Sequence, residues 1–194
     1  MRRLTLSMVG IAAGLVSLAP AALAYPQIDP LTRRPLVYDA PNFRANATII
    51  PRQVVDYQTR HPPGTIVVST SERRLYFVLP GGKAIRYGVG VGREGFTWSG
   101  THRITMKREW PSWTPPASML KRRPDLPRFM PGGPDNPLGA RALYIGNTLY
   151  RIHGSNEPET IGQAVSSGCI RMVNEDVIDL YSRVKVGAKV VVMR

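Results

Sequence analysis

The chain has 194 residues, with 26 Lys and Arg against 13 Asp and Glu for a formal charge of +13, and a single Cys. One Cys excludes an intrachain disulfide framework. The basic residues are scattered, without zinc-finger spacing or a Gly-rich phosphate loop, so the charge is read as attraction to a polyanion other than nucleic acid.

Met1 to Ala24 runs from basic Arg2-Arg3 through a mostly apolar stretch to Ala22-Leu23-Ala24. That order predicts a secretory signal peptide over residues 1–24, with cleavage after Ala24. Ser7, Gly10, Gly14 and Ser17 interrupt the apolar run, which argues against a retained membrane span. Cleavage leaves 170 residues, enough for one domain, and losing Arg2 and Arg3 lowers the charge to +11. In an oxidising compartment, the lone thiol of Cys169 is either packed away or kept for reactivity.

Residues 25–64 are rich in Pro and weak in periodicity, which predicts an extended N-terminal segment with a short strand near Thr48-Ile49-Ile50. Asn46-Ala47-Thr48 matches a glycosylation acceptor and is read as chance in this context. The folded domain is expected over residues 65–194. Thr65 to Thr70, Arg74 to Leu79 and Lys83 to Val91 are β-rich runs separated by short turns, which predicts an antiparallel meander. Gly88, Gly90, Gly92 and Gly95 follow neither nucleotide fingerprint and are assigned to strand ends; no cofactor is indicated.

Thr97 to Lys107 is expected to return to the sheet, carrying His102. The three His and the Cys lack the short fixed spacings of zinc sites, so no metal site is predicted. Pro111 to Pro137 holds eight of the eighteen Pro together with Trp110 beside it, Trp113 and Lys121-Arg122-Arg123. Pro disfavours helix interiors and central strands, so this stretch is a long ordered loop. It either walls a substrate groove with its Trp residues or packs them passively on the core.

Gly139 to Tyr144 leads into a strand ending near Ile152. After a loop, Asn174 is expected to cap a helix whose Val177, Leu180, Tyr181 and Val184 form one apolar face. Gly187 stops it, and Ala188 to Met193 is a terminal strand.

The chemistry concentrates in His153 to Met172. His153 stands at a strand end beside Gly154, and Cys169 in Ser-Ser-Gly-Cys-Ile-Arg-Met follows Gly168, which permits a tight turn. A thiol becomes nucleophilic as thiolate, and imidazole exchanges protons near neutrality. The pair suggests acyl transfer, against the bland reading of a buried Cys and a surface His.

His153-Gly154, Gly162 and Ser166-Ser167-Gly168-Cys169-Ile170-Arg171-Met172, with Asn136-Pro137-Leu138-Gly139 upstream, resemble the signature of the L,D-transpeptidase catalytic domain (YkuD domain, ErfK/YbiS/YcfS/YnhG-like). The resemblance covers roughly residues 65–194. It implies a mainly β, sandwich-like fold with short helices, and an exported enzyme that rearranges peptidoglycan stem peptides in the periplasm. It also implies Cys169 as nucleophile, His153 as base, Gly154 and Gly168 as site-shaping residues, and Arg171 as a residue that orders the site or binds a substrate carboxylate. Trp110 and Trp113 are the further substrate-binding candidates. Many members have His where this chain has Ser167, which leaves the group that orients the pair open.

On this reading the Cys169 thiolate attacks the carbonyl after the L-centre of a tetrapeptide stem and expels D-Ala. Amides around Ser167, Gly168 and Cys169 are expected to receive the oxyanion. An amine on a second stem or on a wall-attached protein then resolves the thioester. Water as acceptor gives an L,D-carboxypeptidase or related cysteine peptidase, and a noncatalytic wall-binding protein is the rival outside enzyme classes. The motif sets neither the acceptor nor an oligomeric state.

Overall fold

The computed structural model describes residues 50–194. The signal peptide, the Asn46 acceptor and the strand expected at Thr48-Ile49 lie outside the described residues. The first strand, β1 (Gln53–Asp56), starts two residues after Pro51, whose missing N–H cannot join a ladder. It lies further along the chain than the expected strand.

The meander follows as β2 (Ile66–Ser69), β3 (Arg74–Leu79) and β4 (Lys83–Gly88). Its neighbours pair antiparallel, with Val67 opposite Tyr76 and Tyr76 opposite Arg86. β1 pairs antiparallel with the far side of β4. All four residues of β2 are buried, as befits a strand covered on both faces. β5 (Val91–Gly92) leaves this sheet, and the ten-residue β6 (Gly100–Glu109) returns to it.

The Pro-rich stretch contains one short helix, α1 (Ala117–Arg122), and an isolated antiparallel bridge between Trp113 and Met130. β7 (Arg141–Ile145) and β8 (Arg151–His153) then form a hairpin. A single 3-10 turn (Pro158–Thr160), β9 (Ala164–Ser166) and β10 (Ile170–Arg171) carry the chain to α2 (Asn174–Arg183) and β11 (Lys189–Met193).

Among the described residues, nine strands form one sheet in the order β1-β4-β3-β2-β11-β6-β7-β8-β10, and β5 pairs parallel with β9. The terminal strand β11 enters the middle, parallel to β2 and antiparallel to β6. The sandwich-like core comes from curling this sheet at β6. Residues 100–103 of β6 pair with β11 and residues 104–109 with β7, with a register shift between Ile104 and Met106. A bulge there bends the strand and turns the two halves of the sheet face to face. Ile66, Val68, Leu75 and Tyr87 from one half thus share a core with Leu143, Ile145, Ile152 and Ile170 from the other.

Helix α2 closes the core with Val177 and Leu180, joined by Val184 at its C-terminal cap, as the apolar periodicity requires. Asn174 does not cap it. Val173 occupies the cap position without a side-chain bond, and the Asn174 carboxamide oxygen accepts the Ala140 N–H at 2.9 Å. A buried orphan N–H across the fold outweighs one at a helix start that water can reach.

Candidate active site

β8 and β10 are parallel neighbours, with Ile170 opposite Ile152 and Arg171 opposite His153. Side chains alternate along a strand, so Ile152 and Ile170 turn together into the core, where both are sealed from solvent. His153 and Arg171 take the opposite face, joined by Arg151 and Cys169 one pleat earlier. These four residues line one wall of a cavity of about 380 Å³, within the range of small-ligand sites. Sixteen positions of sequence between His153 and Cys169 thus close onto one strand pair.

Cys169 is half-buried and directs Sγ toward the Leu149 carbonyl oxygen at 3.8 Å. Burial pushes its thiol up from the ordinary value, against hydrogen bonds from the Arg151 amide and side chain and the charges of Arg151 and Arg171. His153 is 4% exposed, and burial drives its pKa down to about 3 even though its bond to Gly154 favours the proton. The resting pair is therefore a neutral thiol and a neutral imidazole. Nδ1 of His153 lies 2.5 Å from the Gly154 carbonyl oxygen. That contact assigns the ring proton to Nδ1 and leaves Nε2 as the proton acceptor. A backbone carbonyl supplies the orienting contact that Ser167 left open. The Ser167 hydroxyl makes no hydrogen bond among the described residues.

The turn carrying the thiol is held from three sides. Gly168 has φ +107°, a region disfavoured for L side chains, and a Cβ there would stand 2.5 Å from Tyr150 Cε1. Ser166 Oγ donates to the Cys169 carbonyl at 2.6 Å and accepts the Gly168 N–H at 3.1 Å. Trp98 Nε1 donates to the Gly168 carbonyl at 2.7 Å, and its ring stacks on Tyr150 at 4.4 Å. With the Gly168 amide engaged, the Ser167 and Cys169 amides are the ones without an acceptor among the described residues. Gly154 serves by close approach: a Cβ there would overlap the Asn174 oxygen that binds Ala140.

Phe96 and the Pro-rich stretch also line the cavity, the latter through Trp113, Pro116, Ser118, Met119, Arg122 and Pro137. Trp113 thus reaches the cavity. Trp110 does not line it; its backbone sits at the corner after β6 and donates to the Ala140 carbonyl at 2.8 Å. Arg171 reaches the cavity, but its guanidinium is held by Glu157 Oε2 at 2.7 Å. His102 does not line the cavity; its ring meets the edge of Trp98 at 5.7 Å. No group of three metal-ligating side chains gathers among the described residues.

Sequence reading missed Arg151, Tyr150 and Trp98. Arg151 was accessible in principle, since a residue two before His153 on a strand shares its face. Trp98 is seventy positions from Gly168, and only the topology brings it there.

Residues 63–192 match the family model of the L,D-transpeptidase catalytic domain, YkuD. The chain is 42% identical over 134 residues to the probable L,D-transpeptidase ErfK/SrfK of Escherichia coli, an alignment covering 64% of this chain and 42% of that protein. It is 35% identical over 186 residues, 93% of each chain, to a candidate L,D-transpeptidase from the ATP synthase subunits region of Fuscovulum blasticum. The chain spans about half the length or less of the Escherichia coli relatives it matches. Among solved structures it resembles L,D-transpeptidase 3 of Mycobacterium tuberculosis in complex with a faropenem-derived adduct. The TM-score is 0.56 at 19% identity, over 69% of this chain and 61% of that one, a likeness of fold.

Proposed function

Because this chain belongs to the L,D-transpeptidase catalytic-domain family, we propose that it is a cysteine acyltransferase acting on peptidoglycan stem peptides in the periplasm. The observation that carries the reading is the placement of Cys169 and His153 on one cavity-facing strand pair, with the imidazole oriented by a backbone carbonyl.

The reaction starts from the neutral pair. As Sγ of Cys169 attacks the carbonyl carbon at the L-centre of the third stem residue, its proton passes to Nε2 of His153. The carbonyl oxygen gains the charge, and the Ser167 and Cys169 amides receive it. Collapse breaks the C–N bond, and the departing D-Ala amine takes the proton from the imidazolium. The thioester is then attacked by an acceptor amine, which gives its proton to His153; sulfur leaves and is reprotonated. A side-chain amine of a second stem gives a crosslink, an amine on a protein gives attachment to the wall, and water gives carboxypeptidation.

The transient imidazolium is costly in so dry a site, which is why the proton moves with the bond changes rather than before them. The wall formed by Trp113, Pro116 and Met119 favours amine over water by shielding the thioester, and Lys121 and Arg122 draw the anionic stem, whereas Arg123 is paired with Asp125 at 2.6 Å. Arg171 braces the 3-10 turn through Glu157. Purified mature protein mixed with a defined tetrapeptide stem yields a crosslinked dimer and free D-Ala by mass analysis. Folded Cys169→Ala protein yields neither. Hydrolysed tripeptide alone assigns a carboxypeptidase, and binding without products assigns a wall-binding protein. Shortening residues 111–137 raises the ratio of hydrolysis to transfer; an unchanged ratio removes the shielding role.

A further inference from the structure

Three arginines line the cavity, and their surroundings differ. Arg171 is paired with Glu157 at 2.7 Å, and Arg122 lies exposed on α1 with its Cζ 5.1 Å from the centre of the Phe96 ring. Arg151 is half-buried on β8, one pleat from His153 and on the same face as Cys169. Its Cζ lies 4.9 Å from the centre of the Tyr144 ring, its side chain also hydrogen-bonds the Cys169 thiol, and its Nε is buried without a hydrogen-bond partner. No carboxylate pairs with it among the described residues, and no acidic side chain lines the cavity.

A cation with an unfilled donor, half removed from water, is a site for an anion. Its place beside the nucleophile says which anion. In a peptide whose scissile carbonyl reaches sulfur, the carboxyl carbon of a one-residue leaving group lies roughly 3 to 3.7 Å from the acyl carbon by standard backbone dimensions. A second carboxylate further along the stem lies more bonds away from the acyl carbon.

We propose that Arg151 is the specificity determinant for the donor, binding the free terminal carboxylate of the single D-residue that leaves. The inference rests on the acyl-transfer reading above and sharpens it: the donor must end one residue after the scissile bond with an ionised carboxylate. The guanidinium fork grips that carboxylate while the amide is intact and releases it with the leaving amino acid, so the acyl-enzyme retains no anion at this point. Arg171, held by Glu157, plays no part in this recognition.

The test compares a tetrapeptide stem ending in a free carboxylate with the same stem ending in a carboxamide. Acylation rates of native, Arg151→Ala and Arg151→Lys protein are read by intact mass. Binding of both stems to Cys169→Ala and Cys169→Ala/Arg151→Ala protein is read by calorimetry. Native protein is expected to favour the acid by about 10- to 100-fold, the range of one charge-assisted hydrogen bond. Arg151→Ala brings the ratio to about one, and Arg151→Lys gives an intermediate ratio because it keeps the charge without the fork. A structural role for Arg151 would slow both stems and leave the ratio standing, which overturns the proposal. Equal binding of acid and amide by Cys169→Ala protein, with acylation intact, also overturns it while sparing the transferase reading. Lost acylation with the binding preference intact overturns the transferase reading and leaves carboxylate recognition by Arg151 standing.

Discussion

Replacing Trp98 by Phe isolates what holds the nucleophile in place. The substitution removes the Nε1–H that donates to the Gly168 carbonyl at 2.7 Å and keeps an aromatic ring over Tyr150. Gly168 is buried, so its carbonyl loses its partner where water cannot readily replace it. An unsatisfied buried acceptor costs about 1–3 kcal/mol, and the smaller ring gives up part of the stack. The expected loss of stability is therefore about 2 kcal/mol. The functional loss is a separate effect, because the turn places Sγ. A displacement near 1 Å at a reacting atom slows a reaction by about 100-fold. We expect acylation to fall by about 10- to 100-fold with donor binding little changed. Urea denaturation and single-turnover acylation followed by intact mass measure the two effects. A Trp98→Phe protein with native stability and a native acylation rate would refute the reasoning.

Further outcomes follow from the same geometry. Gly154→Ala forces a Cβ into the Asn174 oxygen and breaks its bond to Ala140, so stability falls by about 2 kcal/mol or more in a thermal melt. With the His153 pKa at about 3, the acylation rate shows no break near pH 6.5; a midpoint there would contradict a buried neutral imidazole. The same shift makes stability fall as pH drops from about 6.5 toward 3, since the unfolded chain takes up the proton first. His153→Gln is expected to lessen that acid sensitivity. Asp176 runs the other way: burial raises its carboxyl to about 6, so it destabilises the fold as pH rises from about 4 through 6. Asp176→Asn therefore raises the melting temperature at pH 8, with the gain disappearing by pH 4.

The strands were legible where local pattern decides the outcome. Ile66 to Leu79 alternates with turns that leave one pairing, and the Val177, Leu180, Val184 spacing places one helix face. The bend at β6 was not legible, because a register shift between Ile104 and Met106 depends on which strands lie on either side. Cys169 and His153 stood out because rare residues with chemical capacity sat beside glycines. Their common face was hidden until Ile170 and Ile152 were seen to pair. The Asn174 cap failed for a related reason: a local preference yielded to a distant unpaired N–H at Ala140. Arg171 and Arg151 look alike in sequence, and only the position of Glu157 separates a paired arginine from one without an acidic partner.

The most direct measurement is the intact mass of folded protein after brief exposure to a tetrapeptide stem. The account predicts a gain equal to the stem less its terminal D-Ala, carried on Cys169, sensitive to hydroxylamine and absent from Cys169→Ala protein. Release of D-Ala with no such adduct on Cys169, or an adduct that survives the Cys169→Ala change, would contradict it.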